Sequence, residues 1–167
     1  MIYIDSLPFY LLSVKQPFGE FFLIVDHTNQ VILTSFIEPK AKLIKLEEHP
    51  YINLVQQYFT GDVTALDKIN IKIQGSHFQQ TVLSAMRQIK FGQTISYGVL
   101  AHQANFPKAS RAVGSVCRNN KLPLIIPCHR VIKSDGRIGQ YAFGTDLKQQ
   151  LLDFERSQLS NNPYLDF

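Results

Sequence analysis

Apolar and polar positions alternate along the first forty residues in the two-residue rhythm of half-buried strands. Phe9 to Val14, Glu20 to Val25 and Gln30 to Phe36 are rich in β-branched and aromatic residues. Turn-forming Gln16-Pro17-Phe18-Gly19 and Asp26-His27-Thr28-Asn29 divide them, which predicts a β-meander. Ala41 to Glu48 and Pro50 to Phe59 carry helical patterns, the second closed by Thr60-Gly61-Asp62, and Ile69 to Ile73 fits a returning strand. Residues 1–74 read as a small α/β scaffold without a convincing site of its own.

From Gly75 the rhythm becomes helical. Ser76-His77-Phe78-Gln79 has the form of a capping box, and Phe78, Val82, Ala85, Met86 and Ile89 mark one apolar helical face that Phe91-Gly92 brings to an end. Ser96 can cap a short helix from Tyr97 to about Gln103. After the turn Ala104-Asn105-Phe106-Pro107, a second helix is predicted from Lys108 to about Arg118. Two short helices around a tight turn, the second carrying Lys108, Arg111 and Arg118, have the layout of a helix-turn-helix. Leu122 to Ile126 forms a buried apolar run, Ser134-Asp135-Gly136 a turn, and a last helix from Thr145 carries Leu147, Leu151, Leu152 and Phe154 inward. Asn161 to Phe167 reads as a loose tail.

Composition adds limits. A chain of 167 residues with 45% hydrophobic and 18% charged residues is an ordinary globular protein able to bury a core. No apolar run approaches the roughly 20 residues of a membrane span. Met1-Ile2-Tyr3-Ile4-Asp5 lacks the basic start and apolar stretch of a signal peptide, so a cytoplasmic location without membrane contact is expected. Cys117 and Cys128 match neither a disulfide framework nor a zinc signature, which fits reduced thiols and no metal. Charge changes the picture more. Residues 1–74 hold six basic against eight acidic side chains, and residues 140–167 hold two against four. Residues 75–139 hold nine basic side chains against Asp135 alone. Such a basic segment suggests an anionic partner, most simply nucleic acid, with a solvated basic face as the plain alternative.

The chemistry is carried by Ile126-Pro127-Cys128-His129-Arg130-Val131-Ile132. A thiol held beside an imidazole is a candidate nucleophile, because histidine biases it toward thiolate; a buried cysteine serving as a small core residue is the alternative. The order of a helix-turn-helix, an apolar run and Pro-Cys-His-Arg-Val resembles the O6-alkylguanine-DNA alkyltransferases, which move an alkyl group from damaged guanine onto their own cysteine. The resemblance spans roughly residues 75–156. It rests on Phe78-Gln79-Gln80, Ile95-Ser96-Tyr97-Gly98, Pro107-Lys108-Ala109, Arg111-Ala112-Val113-Gly114, Asn120, Pro123, Pro127 to Val131 and Leu147 to Glu155. Its N-terminal half matches only in the strand-then-helix layout.

The resemblance implies an α/β (α+β) N-terminal domain with a small antiparallel sheet over residues 1–74. A mainly helical, winged-helix-like helix-turn-helix catalytic domain follows over 75–160, and a tail over 161–167. It makes Cys128 the nucleophile and alkyl acceptor. A free thiol is only about 3% ionised at pH 7, and a value about two or three units lower leaves it mostly thiolate. His129 would take the proton through a bridging water, and Glu155 would orient that imidazole as in a triad. Tyr97 would donate a hydrogen bond to the flipped base, and Asn120 would brace the site. Arg111 would fill the space the base leaves. Lys108, Ala109, Ala112, Gly114 and Ser134 would meet DNA, through the minor groove rather than the major groove of generic helix-turn-helix proteins. Arg130 would make a structural salt bridge or hydrogen bond.

The implied activity is single-use repair of O6-alkylguanine in double-stranded DNA, with O4-alkylthymine a further substrate to test. No cofactor is implied, and the protein is expected to be a monomer, with cooperative binding on DNA left open. A lesion-recognising DNA-binding module and a cysteine hydrolase are the competing readings. The chain departs from the family at Leu83, where tryptophan is usual, and at Lys90 and Lys121, where proline is common. Phe143 stands where glycine is general, and is expected on the rim of the base pocket, narrowing it.

Overall fold

The computed structural model describes residues 8–161. Met1 to Asp5 and the predicted tail beyond Asn161 therefore lie outside the described residues. The chain divides into two compact units, Met1–Ile73 and Gln74–Phe167.

The first unit is built on the predicted meander. Strands β1 (Tyr10–Gln16), β2 (Gly19–Val25) and β3 (Val31–Ser35) pair antiparallel in sequence. Register follows the hydrophobic alternation: Leu12 faces Leu23 and Val14 faces Phe21, so one side of the sheet carries these buried apolar pairs, with Thr34 beside Leu23. Leu11, Phe22 and Ile24 make a smaller cluster on the opposite side, covered by Ile32, Leu33 and Leu43. Helix α1 (Pro50–Phe59) packs on β1 and buries Tyr51, Val55, Tyr58 and Phe59. Its N-cap is His49, whose ring accepts from the Tyr51 N–H, with Pro50 at the first position where no amide partner is needed.

Two sequence expectations fail in this unit. Ala41 to Glu48 is not helical; it contains a two-residue strand, β4 (Ile44–Lys45), parallel to β1 at the sheet edge. Backbone amides of Ile44 and Leu46 donate to the carbonyls of Phe9 and Leu11. The open edge of β1 offers bonds that an eight-residue helix between Pro39 and Pro50 could not match. Ile69 to Ile73 likewise makes only one bridge, Val31 to Ile71, rather than a strand.

The second unit is mainly helical. Helix α2 (His77–Arg87) begins with the full capping box between Ser76 and Gln79, and buries Val82, Leu83 and Met86. Helix α3 (Tyr97–Gln103) is capped by the Ser96 side chain. Helix α4 covers Ser110–Arg118, so Lys108 and Ala109 precede it rather than opening it; Ala109 is the N-cap and has non-helical backbone angles. Strands β5 (Ile95–Ser96) and β6 (Val131–Ile132) pair in parallel, holding the segment after Cys128 beside the start of α3. Helix α5 (Thr145–Asn161) closes the unit, burying Leu151 and Leu152 as predicted, with Leu147 and Phe154 partly covered. No helix among the described residues is long and apolar enough to cross a membrane.

Candidate functional site

The apolar run after α4 does not extend as a strand. It folds into a buried turn in which Leu124 has a φ of 72°, a left-handed conformation that costs a leucine roughly 1–2 kcal/mol. Asn120 holds the turn together. Its side-chain amide donates to the Ile126 carbonyl (2.8 Å) and to Cys128 Sγ (3.2 Å), while its Oδ1 accepts from the Leu122 N–H (3.0 Å). The Cys128 N–H donates to the Ile126 carbonyl (2.8 Å), and Pro127 leads into a single 3₁₀ turn over Cys128–Arg130. The thiol is thus positioned by a side chain that also fixes the backbone leading to it.

Behind the thiol lies a buried ionic cluster. His129 Nε2 meets Glu155 Oε1 at 2.8 Å, and both residues are wholly inaccessible. Arg130 donates to both oxygens of the same carboxylate (2.9–3.1 Å) and to the Ile89 carbonyl (2.6 Å), with its guanidinium over the Phe91 ring. The Gly92 N–H adds a fourth group, donating to Glu155 Oε2 at 2.8 Å. Gly92 has a φ of 72°, and a side chain there would run into Leu159, so glycine is needed for this approach.

Charge states follow from these contacts. Burial alone would raise the Glu155 carboxyl, but His129 and Arg130 outweigh it and hold it well below the usual carboxylate range. Burial keeps His129 below its ordinary value against the attraction of Glu155, with Arg130 and Lys148 acting in the same direction as burial. Arg130 already balances the carboxylate, so the imidazole rests neutral. An ionised Glu155 can only accept, which puts the ring proton on Nε2 and leaves Nδ1 as an acceptor. Nδ1 is buried and has no hydrogen-bond partner among the described residues.

The thiol corrects an expectation. Burial raises Cys128 above its ordinary value, despite the opposing effects of Asn120, Lys148 and Tyr141. The sulfur therefore rests as a neutral thiol, not as the standing thiolate that a neighbouring histidine alone suggests. His129, kept neutral chiefly by burial, brings no resting positive charge to favour the thiolate.

Cys128 opens on a cavity of about 1000 Å³. Its walls come from Ser96, Tyr97 and Gly98 at the start of α3, from Ser110, Arg111, Gly114, Ser115 and Arg118 on α4, and from loop residues Lys133 to Asp135 and Gly139 to Ala142. Cys117 also lines it. Tyr97 is half-buried, and burial together with the two cysteines raises its phenol, so the hydroxyl remains a donor. Gly139 has a φ of 72°, and any side chain there would stand 3.4 Å from the Tyr97 hydroxyl.

Of the residues singled out from sequence, Cys128, Tyr97, Arg111, Gly114 and Ser134 share this cavity. Asn120, His129 and Glu155 stand behind it in contact with the thiol or with one another. Lys108, Ala109 and Ala112 do not line it; Lys108 and Ala112 are exposed. Phe143 is corrected. Ala142 and Gly144 line the cavity, whereas the Phe143 ring packs edge-on against Tyr141, with centroids 5.7 Å apart.

Two participants escaped the sequence reading. Tyr141 lines the cavity with Cys128, and its side chain works against burial by favouring the ionised sulfur. Lys148 is fully buried on α5 and donates to the Val131 carbonyl (2.7 Å) and the Gln140 carbonyl (3.5 Å), within electrostatic reach of both cysteines. A signal for it existed: Lys148, Leu151, Leu152 and Glu155 follow the inward spacing of one helical face.

Residues 77–157 match the family model of the 6-O-methylguanine DNA methyltransferase DNA-binding domain. A methylated-DNA–protein-cysteine methyltransferase of Haemophilus influenzae is 37% identical over 132 residues, covering 77% of this chain and 71% of the relative. The protein of that name from Mycolicibacterium paratuberculosis is 38% identical over 133 residues, covering 79% and 76%. A crystal structure of Mycobacterium tuberculosis OGT in complex with DNA superposes with a TM-score of 0.81 at 29% identity, covering 89% of this chain and 94% of that one. A structure of O6-methylguanine-DNA methyltransferase from Pyrococcus kodakaraensis shares the fold, with a TM-score of 0.67. With this identity over most of both chains, the protein belongs to the methylated-DNA–protein-cysteine methyltransferase family.

Proposed function

We propose that this protein repairs DNA by moving the alkyl group of O6-alkylguanine onto Cys128, once per molecule. One observation carries the reading: the Cys128 sulfur, bonded by Asn120, faces a cavity walled by α3 and α4, with a neutral imidazole anchored to Glu155 beside it. In this reading α3 and α4 form the helix-turn-helix of a winged-helix-like domain over residues 75–160, and residues 1–74 form a scaffold domain. Double-stranded DNA lies against α4 through its minor groove. Arg111, exposed at the cavity mouth, occupies the space the guanine leaves, while Lys108, Ala109, Ala112, Gly114 and Ser134 approach the backbone.

Transfer begins from a thiol. As Cys128 Sγ attacks the alkyl carbon, the S–C bond forms and the C–O bond to guanine breaks. The thiol proton passes to His129 Nδ1, directly or through one water. The imidazolium that results is stabilised by Glu155, so the positive charge appears only when the reaction needs it. Tyr97 donates to the departing purine, which carries the electrons of the broken C–O bond. The thioether left on Cys128 has no route to release, which makes the protein a stoichiometric reagent. None of these steps calls on a cofactor.

Incubation with duplex DNA carrying labelled O6-methylguanine tests the reading. One equivalent of label at most should appear on the protein, and none on Cys128→Ala. Binding without label would instead indicate a lesion-recognition module, and repeated turnover a cysteine hydrolase. O4-methylthymine in the same assay sets the substrate range.

A further inference from the structure

Cys117 has no part in the transfer described above, yet it lines the same cavity as Cys128. Both are free and buried cysteines, separated by ten residues of chain. Asn120 ties their backbones and sulfur together: its N–H reaches the Cys117 carbonyl (3.4 Å), and its side chain donates to Cys128 Sγ (3.2 Å). Two further groups interact with both sulfurs, Tyr97 from α3 and Lys148 from α5. The two thiols also influence each other electrostatically. They therefore line one cavity between the same neighbours.

We propose that Cys117 and Cys128 form a reversible disulfide when the DNA-free protein meets a hydroperoxide, locking the acceptor sulfur away from both alkylation and over-oxidation. Cys128 is the sulfur that reacts first. The Asn120 amide donates to its sulfur (3.2 Å) and so favours the thiolate that attacks, with Tyr141 and Lys148 acting in the same direction; burial raises both thiols. The Cys128 sulfur, giving up its proton, attacks one peroxide oxygen, the O–O bond breaks, and the leaving oxygen takes a proton as water or alcohol. The Cys117 thiol then loses its proton and attacks the sulfenyl sulfur. The S–S bond forms as the S–O bond breaks, releasing water. In sum, two thiols and one hydroperoxide give one disulfide, one alcohol or water, and one further water. The two sulfurs are oxidised and the peroxide is reduced. A small dithiol reverses the change by exchange.

The test uses the whole DNA-free protein treated with hydrogen peroxide, followed by blocking of remaining thiols, intact mass and tryptic digestion. Trypsin separates the two cysteines, into peptides 112–118 and 122–130. The expected result is a loss of two hydrogens in the intact protein and a linked pair of those peptides. Label transfer should fall with formation of the link and return to its starting level after dithiothreitol. Cys117→Ala and Cys117→Ser, each compared with its own untreated activity, should instead gain oxygen on peptide 122–130 and stay inactive after dithiothreitol. The proposal is overturned if the wild type shows no linked peptides, or if both variants recover as completely as the wild type. The linkage is read by mass alone, so it stands or fails separately from the assignment of Cys128 as alkyl acceptor.

Discussion

The two units of this protein bury very different side chains. Among the described residues of the first, the buried polar groups are Asp26 and Thr34, and Asp26 serves a local turn by accepting from Thr28 and Gln30. The second buries His129, Arg130, Lys148 and Glu155, all close around one cysteine. Burying a charge costs several kcal/mol unless partners repay it, so a fold that keeps four such groups in one place gains something other than stability. The first unit shows what the chain does when packing alone is at stake. The second shows the same chain accepting desolvation to set the protonation states around a thiol.

The sharpest way to break this contrast is to unbalance the cluster. Glu155→Gln leaves Arg130 buried without its counter-charge and His129 without its anchor. The expected cost is about 3–5 kcal/mol in the stability of the second unit, together with loss of nearly all transfer activity. Chemical denaturation and single-turnover label transfer would check the two effects. A mutant as stable and as fast as the wild type would mean that the cluster is incidental.

A core truncation in the first unit gives the opposite pattern. Leu12 is wholly buried, and Leu12→Ala should cost about 2–5 kcal/mol by leaving a cavity. Its folded fraction should still transfer the alkyl group at a rate within about twofold of wild type, because no group of that unit takes part in the proposed transfer. A large rate loss in fully folded protein would bring the first unit into the mechanism.

Lys148→Met tests a subtler part of the cluster. It removes a buried ammonium that opposes the rise in the Cys128 thiol, so the thiol should become still harder to ionise. Transfer should slow about tenfold, a change of about 1.4 kcal/mol in the barrier, and a thiol titration by ultraviolet absorbance should move to higher pH. An unchanged titration would limit Lys148 to holding the Val131 carbonyl.

Acid gives the smallest and most gradual effect. His129 is held below 6.5 in the folded protein, so the unfolded chain binds its proton first as pH falls. Its contribution to stability is complete above that value and declines below it. Glu155, also held low, adds a second loss further down, as pH falls from the ordinary carboxylate range toward its own depressed value. Unfolding curves followed downward from neutral pH should show this loss in the wild type and lose the first step in His129→Phe, provided that variant folds.

The sequence carried much of this, and the failures are instructive. The meander, α1, the capping box of α2 and the ends of α3 were legible because alternation, Pro50, Ser76 and Ser96 each act through near neighbours in the chain. The 41–48 segment departs from its helical pattern because its conformation is decided by the open edge of β1, a distant partner that local pattern does not reveal. The same holds at the site. Pro-Cys-His-Arg-Val and Glu155 could be read through family likeness, but the resting state of the thiol depends on total burial, which also keeps His129 neutral. Lys148 was hidden because a lysine on a terminal helix is ordinarily a surface residue, and only its register with Leu151 and Leu152 hints otherwise.

The central claim is that the buried Cys128, and no other sulfur, receives the alkyl group. The direct measurement is peptide mass analysis after reaction with excess duplex DNA containing O6-methylguanine. The expected result is a gain of one CH₂ on peptide 122–130, complete in every active molecule, with peptide 112–118 unchanged. A methyl group on peptide 112–118, or none on either peptide while the lesion disappears, would contradict the account.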